Sequence, residues 1–342
     1  MYLFRNDYSF AAHPQVLEAV ARSSAEGNPG YGFDPHCEHA AALIRELAQA
    51  PKADVSFFIG GTSVNFTAIA AFLRPWEGVF CPHSGHVNGH ESGAVEATGH
   101  KLLPLPAGPD GKLRPEQIEA AYPTYQDVHL VLPRLVYISQ ATETGGVYTK
   151  AELEALSAVC QKLHLFLFVD GARLGCALTS EGCDVTVADL ARLTDAFTIG
   201  GTKNGALMGE ALVIPDPALA EGLFRIKKQR GAVLAKGWLL GAQFEALLTD
   251  GLYFDLARHS NAMAQRLQSG LAEKGFSFAF PSPTNQIFPI LPDQLLPELE
   301  KICAFEVWGP GPEVGQTVIR LVASFGTTED DVEGLLQHFP TK

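Results

Sequence analysis

The run LFLFVDGAR, residues 165–173, decides the fold. Five apolar residues in succession read as a strand buried on both faces, and that strand ends on a carboxylate, Asp170, followed by a glycine. A continuous apolar strand set between helical stretches belongs to a mostly parallel sheet covered by helices, the arrangement that buries both faces of its strands. The same pattern extends outward in both directions. Upstream, TKAELEALSAVCQKL reads as a helix opened by the cap residue Thr149, and HLVLPRLVYIS as a long apolar strand. Before these, EGVFCP is a short strand, DVSFFIGG a strand ending in glycines, and TSVNFTAIAAFL the helix that follows it. HPQVLEAVAR and PHCEHAAALIRELAQA read as amphipathic helices. Downstream, DAFTIGGTK and ALMGEALVIP supply two more strands.

From about Gly231 the pattern changes. A long helical stretch leads to FSFAF, NQIFPI, AFEVWG and TVIRLVASF, with helices between and after them. That is an α+β segment, and the expected division is a large unit over residues 1–250 and a smaller C-terminal α+β unit over 251–342. A chain of 342 residues that is 46% hydrophobic can bury a core in each.

Composition removes several classes of function. The net charge is −13 and no long basic run occurs, so nucleic acid and anionic membrane surfaces are excluded as expected partners. The opening MYLFRNDYSF carries Arg5 and Asp7 in place of an apolar leader, and no apolar run approaches the length of a membrane span; a cytoplasmic protein is expected. The six cysteines are scattered, with no C-x-x-C, and read as small buried hydrophobes. No ligand cluster predicts a metal.

Three strand ends carry the chemistry, since ligands of an open parallel sheet collect at the carboxyl ends of its strands. The first is FIGGTSVN, residues 58–65, where a strand runs through Gly60, Gly61 and Thr62 into a helix. Such a turn lets backbone N–H groups approach a phosphate, with the helix N-terminus aimed at it; a plain strand-to-helix turn is the ordinary reading of the glycines alone. The second is Asp170, whose carboxylate is costly to bury without a partner. A protonated pyridine nitrogen is one such partner; an Asp–Arg bridge or a helix cap is the ordinary one. Arg173, on the same turn, has the fork geometry to hold a carboxylate in bidentate fashion. The third is Lys203 in DAFTIGGTKNG, at the end of a short apolar strand. Apolar surroundings strip a lysine of its preference for charge and make its amine nucleophilic; a surface loop lysine is the ordinary reading. In this chain order, a phosphate turn, a strand-end Asp and a strand-end Lys fit a pyridoxal-phosphate (PLP) enzyme of fold type I.

The match becomes specific in FRNDYSFAAHP, GYGFDP, GGTSVNFTAIA, GHVNGHESGAVEATGHK, YISQATETGGVYT, FVDGARLGCAL, FTIGGTKNGALMGEALV, KKQRGAVLAKGWLLG and VIRLVASFGTTEDDV. With these stretches in order, nearly end to end, the chain resembles the threonine aldolase family, and within it the branch of phenylserine-aldolase-like enzymes. The resemblance implies a seven-stranded, mostly parallel sheet and retro-aldol cleavage of β-hydroxy-α-amino acids to glycine and an aldehyde. It implies Lys203 as the lysine that holds PLP and Asp170 as the partner of the pyridine nitrogen. His86 would stack on the ring, with Gly61, Thr62 and Thr202 at the phosphate. Arg173 and Arg320 would hold the substrate carboxylate. Tyr31 matches an active-site tyrosine lent by a neighbouring subunit. Of the basic cluster Lys227, Lys228, Arg230 and Lys236, Lys236 is the one assigned toward a phosphate. Homodimers or tetramers with sites at the subunit interface are implied as well.

Two departures matter. An R-S-D motif of many family members reads Arg5-Asn6-Asp7 here, with Asn6 still able to donate to a carboxylate. A second active-site histidine of many threonine aldolases is replaced by Glu143. His86 then leads as the base for the substrate hydroxyl, with Glu143 or an ordered water as the alternative. His83 and His90 read as polar loop residues, and Glu91 either orients His86 or caps the following helix. Within enzymes the rivals are β-elimination, racemisation and transamination on the same scaffold; outside them, a PLP-binding protein without turnover.

Overall fold

The computed structural model describes residues 1–341. In chain order its strands are β1 (Tyr2–Leu3), β2 (Asp54–Phe58), β3 (Glu77–Pro82), β4 (Leu102–Leu105), β5 (Leu132–Ser139), β6 (Phe166–Asp170) and β7 (Ala196–Gly200). There follow β8 (Glu210–Ile214), β9 (Gln286–Ile287), β10 (Ile290–Pro292), β11 (Cys303–Ala304), β12 (Glu306–Pro310) and β13 (Gln316–Val322).

Seven of these form one sheet in the order β2-β8-β7-β6-β5-β3-β4. All neighbours are parallel except those of β8, which runs antiparallel to both β2 and β7. The fold is that of the fold-type-I class, an α/β sheet with a second, antiparallel sheet built by β9, β10, β12 and β13. Strands β3, β7 and β8 are buried at every residue, as apolar strands with both faces covered must be.

Helix starts follow local chemistry. Thr149 caps the helix Lys150–Lys162 in a reciprocal box with Glu152, and Asp34 caps Pro35–Leu47 through the backbone N–H of Cys37. Two expected strands differ from the sequence pattern. FSFAF contributes only a single bridge, Phe278 to Pro289, and NQIFPI is split into β9 and β10. Pro289 lies inside that run, and a residue without an N–H interrupts a ladder.

One apolar cluster fills the space between the large sheet and the helices on one face, including Phe57, Phe197 and Phe244; another, including Phe58, Tyr137 and Phe168, covers the opposite face. A third joins the helix Leu252–Glu273 to β13 and the last helix, Glu329–Leu336, and it includes Phe4 from the N-terminus. β1 pairs with β11, and Phe4 extends the ladder by donating to Ala304 O at 3.0 Å and accepting from Val322 N at 2.8 Å. The N-terminal segment is therefore packed with the C-terminal residues. Six cysteines are free, as expected of small hydrophobes, and no helix among the described residues is long and apolar enough to cross a membrane.

Phe4 is fully buried. Phe4→Ala should lower unfolding stability by about 3–5 kcal/mol, the usual cost of emptying a buried aromatic site, read as a lower urea midpoint at unchanged slope. A loss below about 1 kcal/mol would mean that β1 is not part of the cooperative unit.

Candidate active site

The carboxyl ends of β2, β5, β6 and β7 open on a cavity of about 470 Å³. Its wall includes Gly61, Thr62, His86, Glu143, Asp170, Arg173, Thr202, Lys203 and Arg320, so the chain brings most of the expected residues to one place. Three stand elsewhere. Asn6 closes a turn, accepting from the Tyr8 N–H and the Ser9 hydroxyl at 3.0 Å each; its neighbour Tyr8 lines the cavity instead. Tyr31 lines a different groove with Phe33 and Phe224, its N–H donating to Ala235 O at 3.0 Å and the Lys228 ammonium lying 4.8 Å from its ring centroid. Lys236 is exposed beside Ala235 on that same surface.

The turns after β6 and β7 lie closer together than side chains permit. Gly200 N–H donates to Gly171 O at 3.0 Å, and a Cβ on Gly171 would collide with Thr198 O, as one on Gly200 would with Ala172 O. This contact brings the turn that carries Asp170 and the turn that carries Lys203 to the same cavity. The helix Gly61–Phe72 begins at the cavity without a side-chain cap, and a Cβ on Gly60 or Gly61 would meet nothing within 4 Å. Open space at an uncapped helix N-terminus suits an anion.

Three donors converge on Asp170. The Tyr137 hydroxyl at 2.6 Å and Asn65 Nδ2 at 2.9 Å reach one oxygen, and the Ala172 N–H at 2.8 Å reaches the other. Asn65 Nδ2 also donates to Glu91 at 2.9 Å, and the same Glu91 oxygen lies 2.7 Å from His86 Nδ1. A carboxylate only accepts, so Nδ1 carries the proton and His86 Nε2 is the nitrogen left for chemistry. Glu143 holds the same segment through its Oε1, which accepts from the backbone N–H of His86 at 2.9 Å and the Ser139 hydroxyl at 2.7 Å. Burial raises the pKa of Glu143, although these bonds oppose the shift, and its Oε2 has no partner.

Lys203 makes no hydrogen bond or ion pair among the described residues, and burial, then the positive charge of Arg173, lowers its pKa. Glu210, at the start of β8 opposite both Phe58 and Gly200, is buried on the cavity wall and pushed up to about 8, chiefly by burial; the Thr202 side-chain bond and nearby Lys203 oppose this. His90, read from sequence as a loop residue, lies on the wall with its ring centroid 5.6 Å from that of His86. Burial, then His86, lowers its pKa. The sequence patterns that mark the site assign no role to Tyr137, Asn65, Glu210, Glu306 or Trp308. A signal was available for Glu210, a carboxylate bordering an apolar strand, the same signal that marks Asp170.

The bidentate grip expected of Arg173 on a substrate carboxylate is taken up by Asp7 of the same chain instead. The arginine Nε and one Nη donate to the two oxygens of Asp7 at 2.7 and 3.0 Å, leaving a single Nη for a ligand. Burial opposes charge on Asp7, but Arg173 and Lys203, with the Arg173 and Asn285 hydrogen bonds, hold its pKa below the ordinary 3.8.

These residues fit pyridoxal phosphate: an unpartnered recessed amine, a carboxylate with its donors in place beside that amine, and an open helix N-terminus. A family model described as beta-eliminating lyase matches residues 5–293. The low specificity L-threonine aldolase of a Pseudomonas species is 33% identical over 335 residues, 97% of this chain and 95% of that protein. The Escherichia coli protein of the same description is 24% identical over 75% of this chain and 76% of its own. The structure of Leishmania major threonine aldolase superposes with a TM-score of 0.96 at 48% identity, covering 98% of each chain. A Thermus thermophilus aspartate aminotransferase variant shares the fold, with a TM-score of 0.74 at 19% identity over 99% of this chain and 91% of its own.

The Asp7 shift fixes the sign of a pH effect. A depressed folded pKa contributes stability above the unfolded value of 3.8, lost as pH falls through the lower folded value. Asp7→Asn should cost about 3–5 kcal/mol at neutral pH, because Arg173 is left buried without its counter-charge, and the gap to the unsubstituted protein should narrow only below about pH 4. Urea titrations across pH check this; a gap that closes near neutrality would contradict the assignment.

Proposed function

The chain belongs to the threonine aldolase family, within the wider beta-eliminating lyases, and on that premise we propose that it binds pyridoxal phosphate and cleaves L-threonine, L-allo-threonine and related β-hydroxy-α-amino acids to glycine and an aldehyde. The carrying observation is the free amine of Lys203 beside Asp170 in one cavity with an unpaired His86 Nε2.

Lys203 would anchor the cofactor. Asp170, already engaged by Tyr137, Asn65 and the Ala172 N–H, would pair with its ring nitrogen; Gly61, Thr62 and Thr202 would hold its phosphate; His86 would stack on the ring. Bound pyridoxal phosphate supplies an electron sink for the pair left on Cα when the Cα–Cβ bond breaks. Arg320, with the remaining Nη of Arg173, grips the substrate carboxylate and fixes rotation about Cα. His86 Nε2 accepts the β-hydroxyl proton, the C–O bond closes to a carbonyl, and the aldehyde leaves. Cα regains a proton, balanced by the one His86 took from the hydroxyl and gives up, and glycine departs. Glu143, with its free Oε2 and raised pKa, is the alternative base or the holder of an ordered water.

The wider reading includes a neighbouring copy. Tyr31 and Lys236 share a surface outside the cavity, which supports their service to another subunit's site in a dimer or tetramer. Asn6 holds the turn that carries Tyr8 to the cavity and so acts on the substrate side indirectly. The division at residue 250 and a cytoplasmic location belong to the same proposal; the C-terminal apolar cluster supports a smaller C-terminal unit, but one that also takes in Tyr2 and Phe4 of the N-terminal segment.

The test is aldehyde release from L-threonine, L-allo-threonine and L-phenylserine by the cofactor-loaded protein. Aldehyde and glycine in equal amounts are expected, with activity lost by at least about 10³-fold in Lys203→Ala. Pyruvate and ammonia from L-serine, without aldehyde from any of the three, would move the chain to β-elimination.

A further inference from the structure

Arg320 on β13 stands directly across from Glu306 on β12, and their side chains form an ion pair inside the cavity. Glu306 is not needed to place the arginine. Gln286 Oε1 accepts from Nη1 at 3.1 Å, and the guanidinium lies 5.4 Å from the centroid of the Trp308 ring. That ring is itself wedged edge-on against Phe288 at 5.1 Å. Glu306 touches only one nitrogen, Nη2, and the buried Nε is left without a partner. The contact is therefore one half of the fork that a guanidinium can offer a carboxylate.

We propose that Glu306 is a stand-in for the substrate carboxylate, occupying Arg320 while the site is empty and giving it up to an incoming amino acid, and so sets the affinity of the site for α-carboxylates. The inference rests on the amino-acid reading of the cavity. Its physical basis is an asymmetry between the partners. The Arg320 side chain is 13% exposed and that of Glu306 41%. An unpaired buried guanidinium near a second one, Arg173, is costly, so the empty site needs a counter-charge. A half-exposed carboxylate, by contrast, returns to water cheaply. A substrate carboxylate makes two bonds to Arg320 where Glu306 makes one, which favours the exchange. Every carboxylate ligand nevertheless competes with a tethered one, at an effective concentration on the order of millimolar.

The experiment uses the cofactor-loaded enzyme and Glu306→Gln, with Glu306→Asp as a second variant that keeps the charge but shortens its reach. Glycine is titrated by the visible absorbance of the cofactor, and aminoacetonitrile, which lacks the carboxylate, is titrated alongside. Removal of the competitor should tighten glycine binding and lower the KM for L-threonine by about three- to tenfold, with kcat changed by less than about twofold. Aminoacetonitrile binding should not change, and Glu306→Asp should fall between. Glycine binding that is unchanged or weaker in Glu306→Gln would overturn the proposal and make Glu306 a bystander or a support for Arg320. If glycine leaves the spectrum of both proteins untouched, the amino-acid reading itself fails and this inference falls with it.

Discussion

The ion pair between Arg173 and Asp7 holds the site together. Asp7 comes from the N-terminal segment, Arg173 from the turn after β6, and Asn285, which also binds Asp7 at 2.9 Å, from just before β9. Three distant parts of the chain meet on one carboxylate. Side-chain exposure is 12% for Arg173 and 1% for Asp7, so neither charge can be left alone, and the geometry must be good enough to offset the loss of water. Once Asp7 is fixed, Tyr8 is delivered to the cavity wall, and the turn that carries Asp170 is pinned from outside.

Behind that pair the site is an economy of buried charge. Asp170, Glu91 and Glu143 all engage neighbouring donors, and Asn65 ties the first two together through one amide. Such networks are stiff when their donors are matched, and stiffness is what an orienting site requires. Lys203 is the exception, a recessed amine with neither hydrogen bond nor ion pair among the described residues. An unpaired amine beside a settled carboxylate is the arrangement a carbonyl cofactor needs.

Much of this was legible in the sequence, and the reasons are physical. Apolar runs such as LFLFV and EGVFCP have no place outside a covered sheet, so the large sheet follows from pattern. Asp170 and Lys203 stand where a charge ends an apolar strand, which makes them conspicuous. The supporting residues were not conspicuous. Tyr137 and Asn65 lie inside apolar elements, where a hydroxyl or an amide reads as ordinary packing until its partner is seen. Asp7 is not legible as the partner of Arg173, because it stands 166 residues away in sequence. FSFAF looked like a strand from composition, but a β pattern needs a neighbour to pair with, and only Phe278 finds one. Glu306 carries no signal in the sequence, because an acid in AFEVWG becomes meaningful only opposite Arg320.

The central claim, that Lys203 holds the cofactor, has a direct test. The protein is loaded with pyridoxal phosphate, reduced with borohydride to fix the cofactor to whichever lysine holds it, digested, and mapped by mass spectrometry. The account predicts the phosphopyridoxyl group on the peptide containing Lys203, at about one group per chain. Lys227 is the informative competitor: it too is buried, its pKa is lowered to about 8, chiefly by burial, and it lines a separate groove. Label on Lys227, or spread over surface lysines with Lys203 unmodified, would contradict the account.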